Sequence, residues 1–341
     1  MTQNFKVATF NLFNYAEPPS AFYEQDSIYR LDQWQKKEAW IANQLEAMDA
    51  DIVGFQEVFS PDALAQLTQD LGYQYFSIIE KPQAKGFVFH SPVVALASKF
   101  PILEASAVSL QSAVKHLPNI ASDFEFSRQP LKAVIDIKDF GKCAVYVVHL
   151  KSQRPFELKI AHNDNSNNTA VLTATLQSRG RWLSAIQRGN EASVLNFDMA
   201  ETSFQKKLPV IFMGDLNDVL SSSPLCQFIS PAEIQHIPPQ LIKSLDERDK
   251  HFIQSFQLYD AFELMESPIQ SSVRPVTHFH GNEQGILDYI LLSPEFHLDF
   301  DWNMGEVVKC QTLNRHLLKP TQDDIVASDH APVAVEICSR F

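Results

Sequence analysis

Leu208-Pro209-Val210-Ile211-Phe212-Met213-Gly214-Asp215-Leu216-Asn217-Asp218 runs from an apolar stretch straight into two carboxylates and an amide. A second such junction lies near the end of the chain, where Ser328-Asp329-His330 leads into the alternating stretch Pro332 to Ile337. Both put polar groups at the tip of a segment that reads as a buried strand. Groups of this kind are costly to bury without partners. Carboxylates gathered at strand tips suit a hard divalent cation and, beside it, a phosphate.

The rest of the chain supplies a frame for these tips. Further strands are predicted at Lys6 to Phe10, Ile52 to Phe55, Val93 to Ser98, Leu131 to Ile137, Ala144 to Val148, Ile286 to Leu292 and Val333 to Ile337. In Tyr29 to Met48, the residues Leu31, Trp34, Ile41, Leu45 and Met48 recur at helical spacing. Ser60-Pro61-Asp62 reads as an N-cap, a first-turn proline and an early acid, with Gly72 closing the helix they open. His162 to Thr169 reads as a polar loop, followed by a helix from about Leu172 to Ala200. Strands and helices interleave irregularly, and several strands are short enough to pair antiparallel. A layered α/β sandwich follows, in one domain over 1–341 with surface insertions near 154–200 and 230–256.

Composition narrows the function classes. With 341 residues and 45% hydrophobic content the chain can bury a large core. Its net charge of -13, from 41 acidic and 28 basic residues, argues against a protein that clamps duplex DNA nonspecifically. It leaves phosphate-ester hydrolysis open, because a bound cation changes the local sign. Cys143, Cys226, Cys310 and Cys338 are far apart and form no C-x-x-C pair, which disfavours a zinc knuckle or a disulfide framework. The first residues show no apolar leader and no stretch is long enough to span a bilayer, so a cytoplasmic protein is expected.

Each polar candidate has a plain structural reading beside a chemical one. Glu57, at the end of the second strand, is a good hard-cation ligand or else a solvated helix-capping acid. Asn11 at the end of the first strand could help hold Glu57 or a metal, or simply close an Asx turn. Asp215 and Asn217, two apart, point the same way if the segment is extended, and could orient a water and a phosphate oxygen. Asp218 reads as a cap or a solvent-facing acid. Asp288 sits within the apolar run Ile286 to Leu292, where a charge needs a partner. His330 is the natural one, since a carboxylate fixes an imidazole's tautomer and raises its basicity, and Asp329 beside it is free to ligate metal. His149, at the end of its strand, and Arg128, before Pro130, could both reach a phosphate. Arg179, Arg181 and Arg188 form either a solvated face or a wall that attracts an anion. His278 and His280 flank Phe279 on a predicted loop; this H-x-H pair suggests a transition metal but has no third His or Cys near it in sequence.

The order of these pieces carries further information. Ala8-Thr9-Phe10-Asn11, Phe55-Gln56-Glu57-Val58, Ala97-Ser98-Lys99-Phe100-Pro101-Ile102, Arg128 before Pro130, His149-Leu150-Lys151-Ser152, Gly214-Asp215-Leu216-Asn217-Asp218, Leu287-Asp288-Tyr289-Ile290 and Ser328-Asp329-His330 follow one another along the chain. Together they resemble the endonuclease/exonuclease/phosphatase superfamily, the deoxyribonuclease I-like metal-dependent phosphoesterases. The resemblance implies a four-layer α/β sandwich with two central mixed, largely antiparallel sheets. It implies Mg²⁺ or Mn²⁺ held by Glu57, Asn11 and Asp329, with Asp215 and Asn217 positioning the water. It assigns the His330–Asp288 pair as base or electrostatic stabiliser, and His149 and Arg128 to the phosphate.

Phe13 and Val58-Phe59 depart from the abasic-site endonuclease pattern, and Leu150-Lys151 from the sphingomyelinase-like one. Leu287-Asp288-Tyr289 departs from the inositol-phosphate phosphatase pattern, so the segments look most like bacterial nuclease-like members. A metal-dependent phosphodiesterase acting on DNA or RNA by in-line water attack is therefore expected. The same chemistry on a lipid or small-molecule phosphate, or a catalytically silent scaffold, are the alternatives.

Overall fold

The computed structural model describes residues 4–157, 169–232, 236–265, 273–280 and 283–340. The strand Gly141–His149 shows how the layers arise from sequence. Cys143, Val145 and Val147 point to one side and join a core shared by two sheets, whereas Ala144, Tyr146 and Val148 point to the other and meet a long helix. The period of two is that of a strand buried on both faces. Asn4–Tyr15 repeats the arrangement, with Phe5 and Val7 between the sheets and Ala8, Phe10 and Leu12 under the helix Leu31–Met48.

Two six-stranded sheets form the centre. The first has the order Gly305–Thr312, Val333–Ser339, Asn4–Tyr15, Ile52–Val58, Val93–Ser98, Tyr75–Ser77. The second runs Tyr259–Asp260, Asp288–Leu292, Val210–Asp215, Gly141–His149, Leu131–Ile137, Ile102–Ala107. Both follow the same rule: the two middle strands are parallel and every other pair is antiparallel. Leu31–Met48 and Pro61–Asp70 cover the outside of the first sheet. Thr169–Glu201 covers the second through Ala192, Val194, Leu195 and Met199. The four-layer α/β sandwich is thus present.

Several expectations shift in detail. The first strand runs on to Tyr15 through a bulge in which Phe13 and Asn14 both have positive φ. The second continues to Val58, so Glu57 lies inside it rather than beyond it. In the two central sheets four strands went unpredicted, Tyr75–Ser77, Ile102–Ala107, Tyr259–Asp260 and Gly305–Thr312, and these are the four edges of those sheets. The later part of 154–200 supplies an outer layer of the sandwich instead of a peripheral excursion. Ser60 does precede Pro61–Asp70, but its hydroxyl accepts from Glu17 N instead of capping the helix. The polar loop read at His162 to Thr169 falls almost entirely outside the described residues.

One glycine sets the spacing between the sheets. A Cβ on Gly54 would stand 2.9 Å from both Met213 Sδ and Val147 Cγ2 of the opposite sheet. Interiors packed this tightly lose about 1–3 kcal/mol when extra methyl groups are forced in. Gly54→Val is expected to lower the unfolding free energy by that amount, read as a lower urea midpoint with the slope of the transition unchanged. An unaltered or raised midpoint would show that the sheets do not approach so closely.

Candidate active site

The parallel pair at the centre of each sheet directs its carboxyl end to the same edge of the sandwich. Asn11 and Gln56 are register partners in the first sheet, and His149 and Asp215 in the second. The sequence motifs gather there because a strand tip is where the ladder ends and side chains must find other partners.

Asp215 occupies the middle of the cluster and is 1% exposed. Its Oδ2 accepts from Asn11 Nδ2 at 3.1 Å and stands 3.4 Å from His149 Nε2 and 3.8 Å from His330 Nε2. Its Oδ1 accepts from the backbone N–H of Asn217 at 2.8 Å. The segment is therefore an Asx turn and not extended: Asn217 has φ of 55° and sends its amide to Leu150 O at 3.1 Å. Gly214 makes the turn possible, since a Cβ there would come 2.0 Å from Val148 O. Burial lifts the Asp215 carboxyl to about 6, with His330 opposing the rise and Asp288 and Glu57 adding to it.

The imidazole of His330 is held from one side. Its Nδ1 meets Asp288 Oδ2 at 2.8 Å, and its backbone N–H donates to Ser328 Oγ, which in turn donates to Asn11 O. Thr277 Oγ1 accepts from the backbone N–H groups of Leu287 and Asp288 and fixes the partner strand. Burial would push His330 down, but the carboxylates of Asp288 and Asp215 overcome it and raise the ring to about 10. His149 is the opposite case. Burial, with Arg128 and His330 adding to it, pushes its ring well below the ordinary histidine range and keeps it neutral.

Glu57 and Asp329 carry the open oxygens. Glu57 Oε2 accepts from the N–H of Asn14 at 2.9 Å, and no other bond to this carboxylate occurs among the described residues. Glu57 itself has φ of 61°, a conformation a β-strand residue rarely adopts, and the bulge at Phe13 and Asn14 turns that N–H toward it. Asp329 Oδ1 is buried and unpartnered. Carboxylate oxygens left without donors are the donor set a hard divalent ion takes. Asn11 is tied on both sides: its Oδ1 accepts from Phe13 N and its Nδ2 holds Asp215.

Other candidates separate from the cluster. Arg188 is buried and pairs with Asp218 Oδ2 at 2.6 Å, so neither is a solvated group. Arg179 and Arg181 are exposed on the outer helix. Arg128 donates to Leu150 O at 3.2 Å and lines a cavity of about 280 Å³ with Tyr23, His90, Lys151 and Phe156. His278 belongs to a short strand, His278–His280, paired with Glu283–Gly285, and not to a loop.

Lys37 escaped the sequence reading. It is fully buried on the apolar stripe of Leu31–Met48, donates to Val326 O at 3.3 Å, and is pushed down to about 7 by burial while Glu57 and Asp329 oppose this. Its signal was present: Trp34, Lys37, Ile41, Leu45 and Met48 keep the i+3, i+4 spacing of one helix face.

The family comparison agrees with this geometry. The profile of the Endonuclease/Exonuclease/phosphatase family matches residues 8–330, and the chain belongs to that family. It is a hydrolase of phosphoester bonds, in a family that generally depends on divalent metal. No curated protein matches the sequence. Among solved structures, the human Nocturnin catalytic domain with bound sulfate anion is similar at 17% identity and a TM-score of 0.58, over 99% of this chain and 97% of that one. ANGEL2, a 2',3'-cyclic phosphatase, in complex with adenosine-2',3'-vanadate aligns at 14% identity and a TM-score of 0.57, over 100% and 97%. D. rerio TDP2 complexed with single strand DNA product aligns at 12% identity and a TM-score of 0.53, over 98% and 99%. At these identities the likeness is one of fold.

The His330–Asp288 pair makes a titration prediction. A ring raised from 6.5 to about 10 favours the folded state fully below the unfolded value near 6.5, and this stabilisation is lost as pH rises through about 10. In the metal-free protein the His330 ring signals should titrate near 10 by NMR, and at a clearly lower pH in Asp288→Asn. Wild-type melting temperature should also fall more between pH 8 and pH 10 than that of the variant. A wild-type ring titrating near 6.5 would refute the pairing.

Proposed function

We propose that this protein is a divalent-metal-dependent phosphodiesterase that cleaves DNA or RNA, with its site and scaffold carried by one domain over 1–341. The observation that carries the reading is the convergence at one edge of Glu57 and Asp329, with open oxygens, on Asp215, His149 and the His330–Asp288 pair. The oxygen donors of Glu57 and Asp329 fit Mg²⁺ or Mn²⁺, and Asn11 supports the site by orienting Asp215. A bound ion there supplies charge stabilisation to the phosphate, worth several kcal/mol in the transition state.

The protein's own groups divide the remaining work. Asp215, poised at about 6, takes the proton of the attacking water, which the Asn217 turn helps to place. His330, held as an imidazolium by Asp288, offsets the charge that builds on the phosphorane. Neutral His149 donates to a phosphate oxygen. Attack is in line and no covalent intermediate forms.

The neighbouring cleft favours a nucleic-acid substrate. Arg128 and Lys151 offer cations, and Tyr23 and Phe156, each 40% exposed, offer faces on which a base can stack. This is a local exception to the overall charge of -13. That overall charge supports a second reading, the same chemistry on a lipid or small-molecule phosphate, because a basic track is the usual companion of nucleic-acid binding.

A panel of single- and double-stranded DNA, RNA, bis-p-nitrophenyl phosphate, inositol phosphates and sphingomyelin separates these readings. Cleavage is expected to need Mg²⁺ or Mn²⁺ and to stop in EDTA. Glu57→Ala and His330→Ala should each lose about 10²-fold or more, the equivalent of about 3 kcal/mol in the transition state. Metal-independent cleavage equal in all three proteins would refute the assignment. Arg128→Ala with Lys151→Ala should raise KM for nucleic acid, leave kcat near wild type, and flatten the salt dependence. A shallow salt dependence in wild type, with preference for a small phosphoester, would select the second reading.

A further inference from the structure

The hydrolytic reading leaves His278 unused, and the fold places it beside the site. Its strand forms an isolated antiparallel bridge with His330, and Ala331 N donates to Thr277 O at 2.7 Å next to it. The two imidazole rings stand 4.5 Å apart, and His278 Nε2 lies 3.7 Å from Asp329 Oδ2. One ligand atom from each of His278, Asp329 and His330 falls within 4.8 Å of the others. Tetrahedral zinc, with bonds of about 2.0–2.2 Å, brings its ligand atoms to roughly 3.3 Å of one another, so modest side-chain rotations close the triangle.

Three chemical features favour an ion here. Two imidazoles and a carboxylate are a borderline-soft donor set, distinct from the oxygen-only set that suits Mg²⁺. His330 Nδ1 is already taken by Asp288 Oδ2, which leaves Nε2 as the ligating atom and orients the ring as outer carboxylates do in zinc sites. Asp329 Oδ1 is buried and unpartnered, and the side chain of Asp329 keeps 39% exposure, so an ion has both a reason to bind and a way in.

We infer that His278, Asp329 and His330 form a second site, for a transition-metal ion of the zinc class, and that its occupation inhibits the enzyme. Binding displaces the proton on His330 Nε2 to solvent and replaces it with a metal–nitrogen bond. The ring can then no longer serve the phosphate, and Asp329 is drawn away from Glu57. The binding half of the inference stands on geometry alone; the inhibitory half rests on the hydrolytic role given to His330 above.

Cobalt(II) added to the purified full chain tests the binding half, because tetrahedral cobalt with nitrogen ligands absorbs strongly in the visible and the octahedral ion does not. One equivalent should produce the tetrahedral bands in wild type and in Glu57→Ala, and Zn²⁺ should displace them. His278→Ala and His278→Gln, each checked for wild-type circular dichroism, should bind at least tenfold more weakly. In a Mg²⁺-supported cleavage assay, Zn²⁺ should inhibit wild type, and both His278 variants should need at least tenfold more Zn²⁺. Weak octahedral absorption in wild type, or tetrahedral bands unchanged in folded His278 variants, would overturn the inference. Loss of Mg²⁺-dependent activity in Glu57→Ala bears only on the hydrolytic reading, so the two can fail separately.

Discussion

A hydrogen bond of 3.1 Å from Asn11 Nδ2 to Asp215 Oδ2 joins the tips of the two central sheets, and the site is arranged around the carboxylate it holds. Asp215 is buried where water cannot solvate a charge, and such a group is tolerated only when surrounding donors and opposite charge compensate it. Asn11 supplies one donor from the first sheet and the Asn217 N–H another from the turn. The imidazolium of His330 supplies the positive charge. Each of these depends in turn on a further layer: Asp288 holds the ring, Thr277 holds the backbone of Asp288, and Ser328 ties His330 to Asn11 O. Removing any one member leaves another buried group unpaired, which makes the cluster behave as a unit.

The sheets explain why the cluster forms at that edge. Each carries a single parallel pair at its centre, flanked by antiparallel strands on both sides. Parallel neighbours end together, so their carboxyl-terminal residues lie side by side: Asn11 beside Gln56 in one sheet and His149 against Asp215 in the other. Gly54 lets the sheets come within contact of Met213 and Val147, which brings the two sets of tips into hydrogen-bonding range. The closeness of the core is therefore also what assembles the chemistry.

Legibility followed burial. Val93–Ser98 and Leu131–Ile137 are buried nearly throughout, and their apolar runs placed their ends correctly. Ile102–Ala107 is mostly exposed, and Gly305–Thr312 largely loses its buried face after Val307; an edge strand has one neighbour and needs no continuous apolar pattern. Lys37 was hidden for the converse reason, because a polar residue on an apolar stripe is assigned to the stripe or overlooked. Arg188 and Asp218 read as surface groups until the fold paired them across 30 residues of chain.

The sequence by itself determined the inner strands, the amphipathic first helix, the glycine that turns the chain before Asp215, and the identity of the polar residues at the strand tips. Those features are local, set by side-chain periodicity and backbone sterics over a few residues. Only the tertiary structure decided which tips meet. It set Asn11 against Asp215, turned Asn217 back toward Leu150, and set His278 against Asp329 and His330. It also separated two histidines of the site, His149 from the second sheet and His330 ahead of the last strand of the first, into a neutral ring and a charged one. These outcomes depend on contacts between residues as far apart as Asn11 and Ser328, where burial and neighbouring charge are fixed by packing and not by any local pattern.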